Sequence, residues 1–125
     1  MAEVKADLVS SLEDSNFKVF DHVPSKLHPP CIVVAAAEGT YLQPGQTFGE
    51  WEINLAVYLT VASGTNEREL ERMDEMLTAV LPHFEGDQGN PWTTEVGTPI
   101  YYSISGSDYL ACRIAASNQF KLTGA

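Results

Sequence analysis

His22, His28 and Cys31 are the first residues whose types could do chemistry, with five and two residues between them. A zinc site draws on paired cysteines and histidines, and no second pair completes one here. His28 precedes two prolines, a turn setting in which histidines are solvated, and Cys31 opens an apolar run. Glu85, Asp87 and Asn90 have the composition of a calcium loop without its ordered ligands or closing glutamate, and read as a solvated turn. The run Ser103-Ile-Ser-Gly-Ser-Asp108 is rich in hydroxyls but has no Gly-x-Ser-x-Gly elbow. Glu50 and Glu52 imitate an acid–base pair, yet two residues apart on a strand they share one wetted face. No phosphate loop or dinucleotide fingerprint is present, and aromatics do not interleave with basic residues. Triads assemble in space rather than in sequence, and nothing in this sequence points to one. The sequence therefore assigns no catalytic, cofactor or metal-binding residue.

The elements that would position any site are clearer. From Trp51 to Val61 the odd positions Trp51, Ile53, Leu55, Val57, Leu59 and Val61 are apolar, and the even ones are mostly polar, small or amphipathic. Side chains alternate across a strand, so this predicts one buried and one wetted face. A helix follows. Asn66 is an N-cap with Glu69 as its capping-box partner, and Leu70, Met73, Leu77, Val80, Leu81 and Phe84 form an apolar stripe at helical spacing. Pro82 stops it near Leu81. Its other side carries Glu67, Arg68, Glu71, Arg72, Asp74, Glu75 and Thr78.

Upstream, residues 3–13 predict a helix on Val4, Leu8 and Leu12, with Val9 beside them. Phe17 to Phe20 reads as a short strand, Val23 to Pro30 as an extended turn, and Cys31 to Ala37 as a strand buried on both faces. Glu38 to Gly49 is a loop of about a dozen residues, near the limit for a compact domain. It carries Tyr41, Leu42 and Phe48, and is either a functional loop or a hairpin tip folded on itself. Downstream, a weak strand around Trp92 to Val96, a strand at Pro99 to Ser105, a turn at Gly106 to Asp108 and a long strand at Tyr109 to Leu122 follow. The order predicts one α+β domain over residues 1–125, with two helices on one face of a mostly antiparallel sheet.

Seventeen acidic against seven basic residues give a formal charge of −10, which argues against nucleic-acid binding through a basic patch. The acidity serves solubility, or a surface that lies near DNA without holding it. Cys31 and Cys112 both lie in apolar strand-like runs and read as small buried hydrophobes, although two cysteines would allow one bridge. The N-terminus has no apolar signal core, and the longest apolar run is too short to span a bilayer. The expectation is a protein made inside the cell, without membrane association.

Taken together, several stretches resemble the tail terminator proteins of long, non-contractile tailed bacteriophages. They are the N-terminal helix, Lys18-Val-Phe-Asp-His-Val-Pro24 leading through Pro29-Pro30 into Cys31-Ile-Val-Val-Ala, and the strand Trp51 to Val61. The helix Arg68-Glu-Leu-Glu-Arg-Met-Asp-Glu-Met-Leu77 ending at Leu81-Pro82 and the strand Leu110-Ala-Cys-Arg-Ile-Ala complete the set. The likeness is spread over nearly the whole chain, and no single motif carries it. It implies a non-enzymatic virion subunit, made in the host cytoplasm and using no cofactor. Such a subunit forms a hexameric ring at the head-proximal end of the tail tube. The ring stops tube polymerisation and joins the head connector, so its partners are the tail tube protein, the connector or stopper protein and further copies of itself. DNA passes through it without specific binding. On that reading Glu67, Glu71, Asp74 and Glu75 are candidates for an acidic lumen, and Tyr41, Leu42 and Phe48 for a contact with a neighbour or the tube. The alternatives are another head–tail joining protein, such as a connector stopper, or a small α+β ligand-binding domain or enzyme with Tyr58, Tyr102 and His83 lining a pocket.

Overall fold

The alternation read from the middle of the chain becomes an eleven-residue strand, β4 (Glu50–Thr60). A computed structural model of the chain describes residues 2–15, 17–22, 29–37, 39–45, 49–61, 66–85, 92–104 and 107–121. Helix α1 (Ala2–Glu13) is followed by β1 (Lys18–Phe20), β2 (Cys31–Ala36) and β3 (Leu42–Pro44) ahead of β4. After β4 come α2 (Asn66–Val80), a 3-10 turn (Leu81–Glu85), β5 (Thr93–Val96), β6 (Ile100–Ile104) and β7 (Ser107–Lys121).

β4 pairs antiparallel with β7 along its whole length, from Glu50 opposite Lys121 to Thr60 opposite Ala111. This register puts Leu55 against Ala116, Val57 against Ile114 and Leu59 against Cys112, so both apolar sets face the same side. The other edge of β4 is shared: β2 takes residues 55–60 and β3 takes residues 51–53. The handover falls at Asn54, whose carbonyl accepts from the Ala37 N–H at 3.1 Å and whose N–H donates to the Tyr41 carbonyl at 2.8 Å. Gly39, at φ 86°, lies in the link between these strands, in the left-handed region that glycine enters without steric cost. β5 and β6 share the outer edge of β7 in the same way.

The α+β class agrees with the sequence reading, but the sheet is mixed and curls into a half-barrel. Five pairings are antiparallel, and β1 runs parallel to β2. β2 therefore starts at the same end of the sheet as β1, as a parallel pair requires. The loop expected at residues 38–49 is also not structureless, because β3 lies within it.

One face of the sheet carries the core. Ile32, Val34, Ile53, Leu55, Val57, Leu59, Cys112 and Ile114 are fully buried there with Leu12 of α1 and Met73 and Val80 of α2. A fully buried Leu, Ile, Val or Met contributes roughly 1.5–3 kcal/mol by leaving water. The two thiols lie on opposite faces of the sheet. Cys112 faces the helices, whereas Cys31 packs with Val33, Phe20, Tyr58 and Tyr109 on the other side. No bridge joins them. Cys31 and Thr60 instead satisfy each other: the Thr60 hydroxyl donates to the Cys31 carbonyl at 3.0 Å, with the Cys31 Sγ 3.0 Å from the same oxygen.

Helix α2 is rotated from the stripe read in the sequence. Its buried residues are Glu69, Met73, Met76 and Val80, at helical spacing, whereas Leu70 is 50% exposed. Glu69, only 5% exposed, takes the inward place because the Tyr101 hydroxyl on β6 donates to its Oε1 at 2.9 Å. Its side chain thus tethers helix to strand rather than serving only as a capping-box partner. This packing predicts that Met73→Ala lowers stability to urea by about 2–5 kcal/mol. Leu70→Ala stays within about 0.5 kcal/mol of wild type. The reverse ranking in urea unfolding would contradict the observed rotation of α2.

Candidate functional site

The face of the sheet away from the helices is divided along its length. At one end it is polar: Gln43 Nε2 donates to Glu52 Oε2, and Ser117 Oγ donates to Asn54 Oδ1 at 2.6 Å. At the other end it is aromatic. The Tyr58 and Tyr102 rings meet edge to face with centroids 5.5 Å apart, a favourable arrangement for aromatic pairs. Phe20 and Tyr109 flank the buried Cys31 and Val33 on the same face.

The large apolar side chains exposed among the described residues are Leu70, Val96, Ile100 and Tyr101. Val96, Ile100 and Tyr101 lie on the β5–β6 edge of the sheet. Leu70 joins them at the start of α2, next to the Glu69 that bonds Tyr101. The apolar exposure is therefore one-sided.

That edge is broken by a bulge. Val96 faces Ile114 and Ile100 faces Ala111, so the three residues Gly97–Pro99 oppose only Cys112 and Arg113. The extra residue interrupts the ladder, and Pro99, which has no N–H, suits such a place. The Gly97 N–H still donates to the Arg113 carbonyl at 2.8 Å, while the Gly97 carbonyl accepts from the Cys112 thiol at 3.1 Å. Burial pushes the Cys112 thiol pKa up, which keeps the proton needed for that bond.

A cleft of about 380 Å³ opens beside the bulge, lined by Glu95, Gly97, Thr98, Ile100, Tyr102, Arg113 and Ala115. Glycine makes room for it: Gly97 has no side chain to cover its cross-strand neighbour Arg113, and an added Cβ would come within 3.2 Å of the Arg113 carbonyl. Arg113 is half-buried, and among the described residues no hydrogen bond or ion pair engages its guanidinium. Glu95, on the same cleft, lies beyond ion-pair distance.

The residues singled out in the sequence are scattered. Glu67, Glu71, Asp74 and Glu75 are all exposed on the side of α2 opposite Met73 and Val80 and form one acidic stripe. Tyr41 and Leu42 are half-buried against the core, less open than expected, and Phe48 lies outside the described residues. Of the suggested pocket, Tyr58 and Tyr102 do meet, but His83 does not join them. It sits on the 3-10 turn beside α1, where its Nδ1 shares a 3.1 Å hydrogen bond with Ser11 Oγ. Ser11 and His83 form a pair that sequence reading missed, since 72 positions separate them. No carboxylate is bonded to the imidazole among the described residues, and the pair fastens α1 to the turn. His22 bonds Asp21 at 2.7 Å in solvent, Cys31 is buried, and His28 lies outside the described residues. No cluster of three metal-ligating side chains occurs among the described residues. Among them, no helix is long and apolar enough to cross a membrane.

The Arg113 cleft had one signal in the sequence, a Gly-Thr-Pro run before a strand, but its arginine comes from another strand. The chain matches no protein-family model, and no curated protein matches it significantly.

The Glu69–Tyr101 bond gives a test by pH. Donation to the Glu69 carboxylate raises the Tyr101 pKa above its usual 10.0. Because the folded value is the higher one, the stabilisation is complete below pH 10 and is lost as pH rises through the raised folded value. Tyr101→Phe is therefore less stable than wild type at neutral pH, and the gap narrows only above pH 10. Melts across pH check this, and a gap that closes below pH 9 would contradict it.

Proposed function

We propose that this chain is a tail terminator: a structural subunit that assembles into a ring, caps a phage tail tube, ends its growth and offers a surface to the head connector. One observation carries the reading beyond the sequence resemblance. The exposed apolar side chains gather at one edge of the sheet, β5–β6 with the start of α2, while β1 and β3 line the opposite side. Two unlike sides suit a head-to-tail contact that closes into a ring, whereas a two-fold dimer uses one patch twice.

The same fold gives a ring two further surfaces. The acidic stripe Glu67, Glu71, Asp74 and Glu75 is the candidate lumen wall, since carboxylates repel DNA phosphates and release no counterions to bind them. Tyr41 and Leu42 adjoin the β3 side, where a neighbour or the tube would meet them. A connector stopper would share these features, and the partner distinguishes the two: tail tube for one, portal-side ring for the other. The hexameric stoichiometry follows from the family resemblance.

The test is tube growth. Tail-tube subunits polymerised with this protein give tubes of arrested length, capped at one end in electron micrographs. The double variant Val96→Ser, Ile100→Ser removes exposed apolar area only and stays within about 0.5 kcal/mol of wild-type stability per site, yet loses capping. Tubes that grow equally long with and without the wild-type protein would contradict the proposal.

A further inference from the structure

We infer that the Arg113 cleft is a carboxylate-binding site, and that its occupant is an acidic side chain of a second copy of this chain. The inference rests on the ring reading above and specifies its contact chemistry.

The β5–β6 edge does not suit simple strand addition. Its bulge at Gly97–Pro99 breaks the run of backbone donors and acceptors, and bulges and prolines are devices that keep sheet edges from pairing. Recognition there falls to side chains. The cleft supplies apolar and aromatic walls, Ile100 and Tyr102, a floor of Gly97 and Ala115, and one cation, Arg113. Arginine presents a planar fork of donors that matches a carboxylate in two parallel bonds. The half-buried Arg113 guanidinium has no partner among the described residues, so its donors are available to an incoming carboxylate.

Charge complementarity identifies the occupant. Each copy has seventeen acidic and seven basic residues, so carboxylates outnumber cationic side chains by ten. A second copy thus brings a surplus of carboxylates to a cleft whose cation is unengaged. Ile100, exposed on the cleft, buries on contact and excludes water from the charge pair. Glu95 lines the same cleft and repels anions, so a small free anion is a weaker ligand than a carboxylate delivered with apolar contacts.

Sedimentation equilibrium of the purified chain, without tube subunits, reads the contact. Wild type self-associates at micromolar to tens of micromolar concentration. Arg113→Glu weakens association by about thirtyfold or more, the usual consequence of breaking a desolvated charge pair. Arg113→Lys retains part of it. Circular dichroism melts establish that each variant is folded, and Arg113→Gln, neutral and of similar length, replaces the glutamate variant if that one does not fold. A monomeric wild type, or a folded Arg113→Glu that associates like wild type, overturns the inference. So does association lost by Arg113→Lys and Arg113→Glu alike with the Arg113→Gln variant unaffected. Tube capping separates the two readings. Arg113-dependent assemblies that leave tube growth untouched contradict the terminator reading alone, and tubes capped by rings of Arg113→Glu contradict this inference alone.

Discussion

The register between β4 and β7 is the constraint on which the rest of the molecule depends. Eleven residues of β4 pair without a slip, and a slip of one would turn Ile53, Leu55, Val57 and Leu59 out to solvent. Because both strands carry an apolar face of the same length, the register is set by burial rather than by a turn. β2 and β3 then divide one free edge and β5 and β6 the other. The helices lie on the apolar face, and the opposite face, the two unlike sheet edges and the exposed side of α2 are left as working surfaces.

How much of this could be read from the sequence follows from where each signal resides. The long strand and its alternation were legible because side-chain parity is a local property, and α1 because its leucines recur every four residues. The rotation of α2 was not, since Leu70 is a better core residue than Glu69 on any local scale. The outcome was decided by Tyr101, which is 32 positions away. β3 was hidden because Leu42, Gln43 and Pro44 have no strand pattern of their own and are extended only by pairing with β4. The candidate acids were legible as one helix face. The cleft was not, because a bulge is a mismatch between two strands, and no single strand records it.

The chain thus has little local chemistry and much surface asymmetry. Several of its hydroxyls and both thiols make internal bonds: Ser11 with His83, Thr60 with Cys31, Cys112 with Gly97. Among the described residues, the exposed large apolar side chains gather at one edge, beside the half-buried Arg113. Such a distribution suits a subunit whose work is to meet its own copies in a fixed direction.

Native mass spectrometry of the purified protein, concentrated from micromolar to tens of micromolar, tests the directional contact most directly. A closed assembly of one discrete size larger than a dimer is expected, with no ladder of open chains at saturation. A persistent monomer, or a dimer that grows no further, would contradict it, because neither uses the two unlike edges.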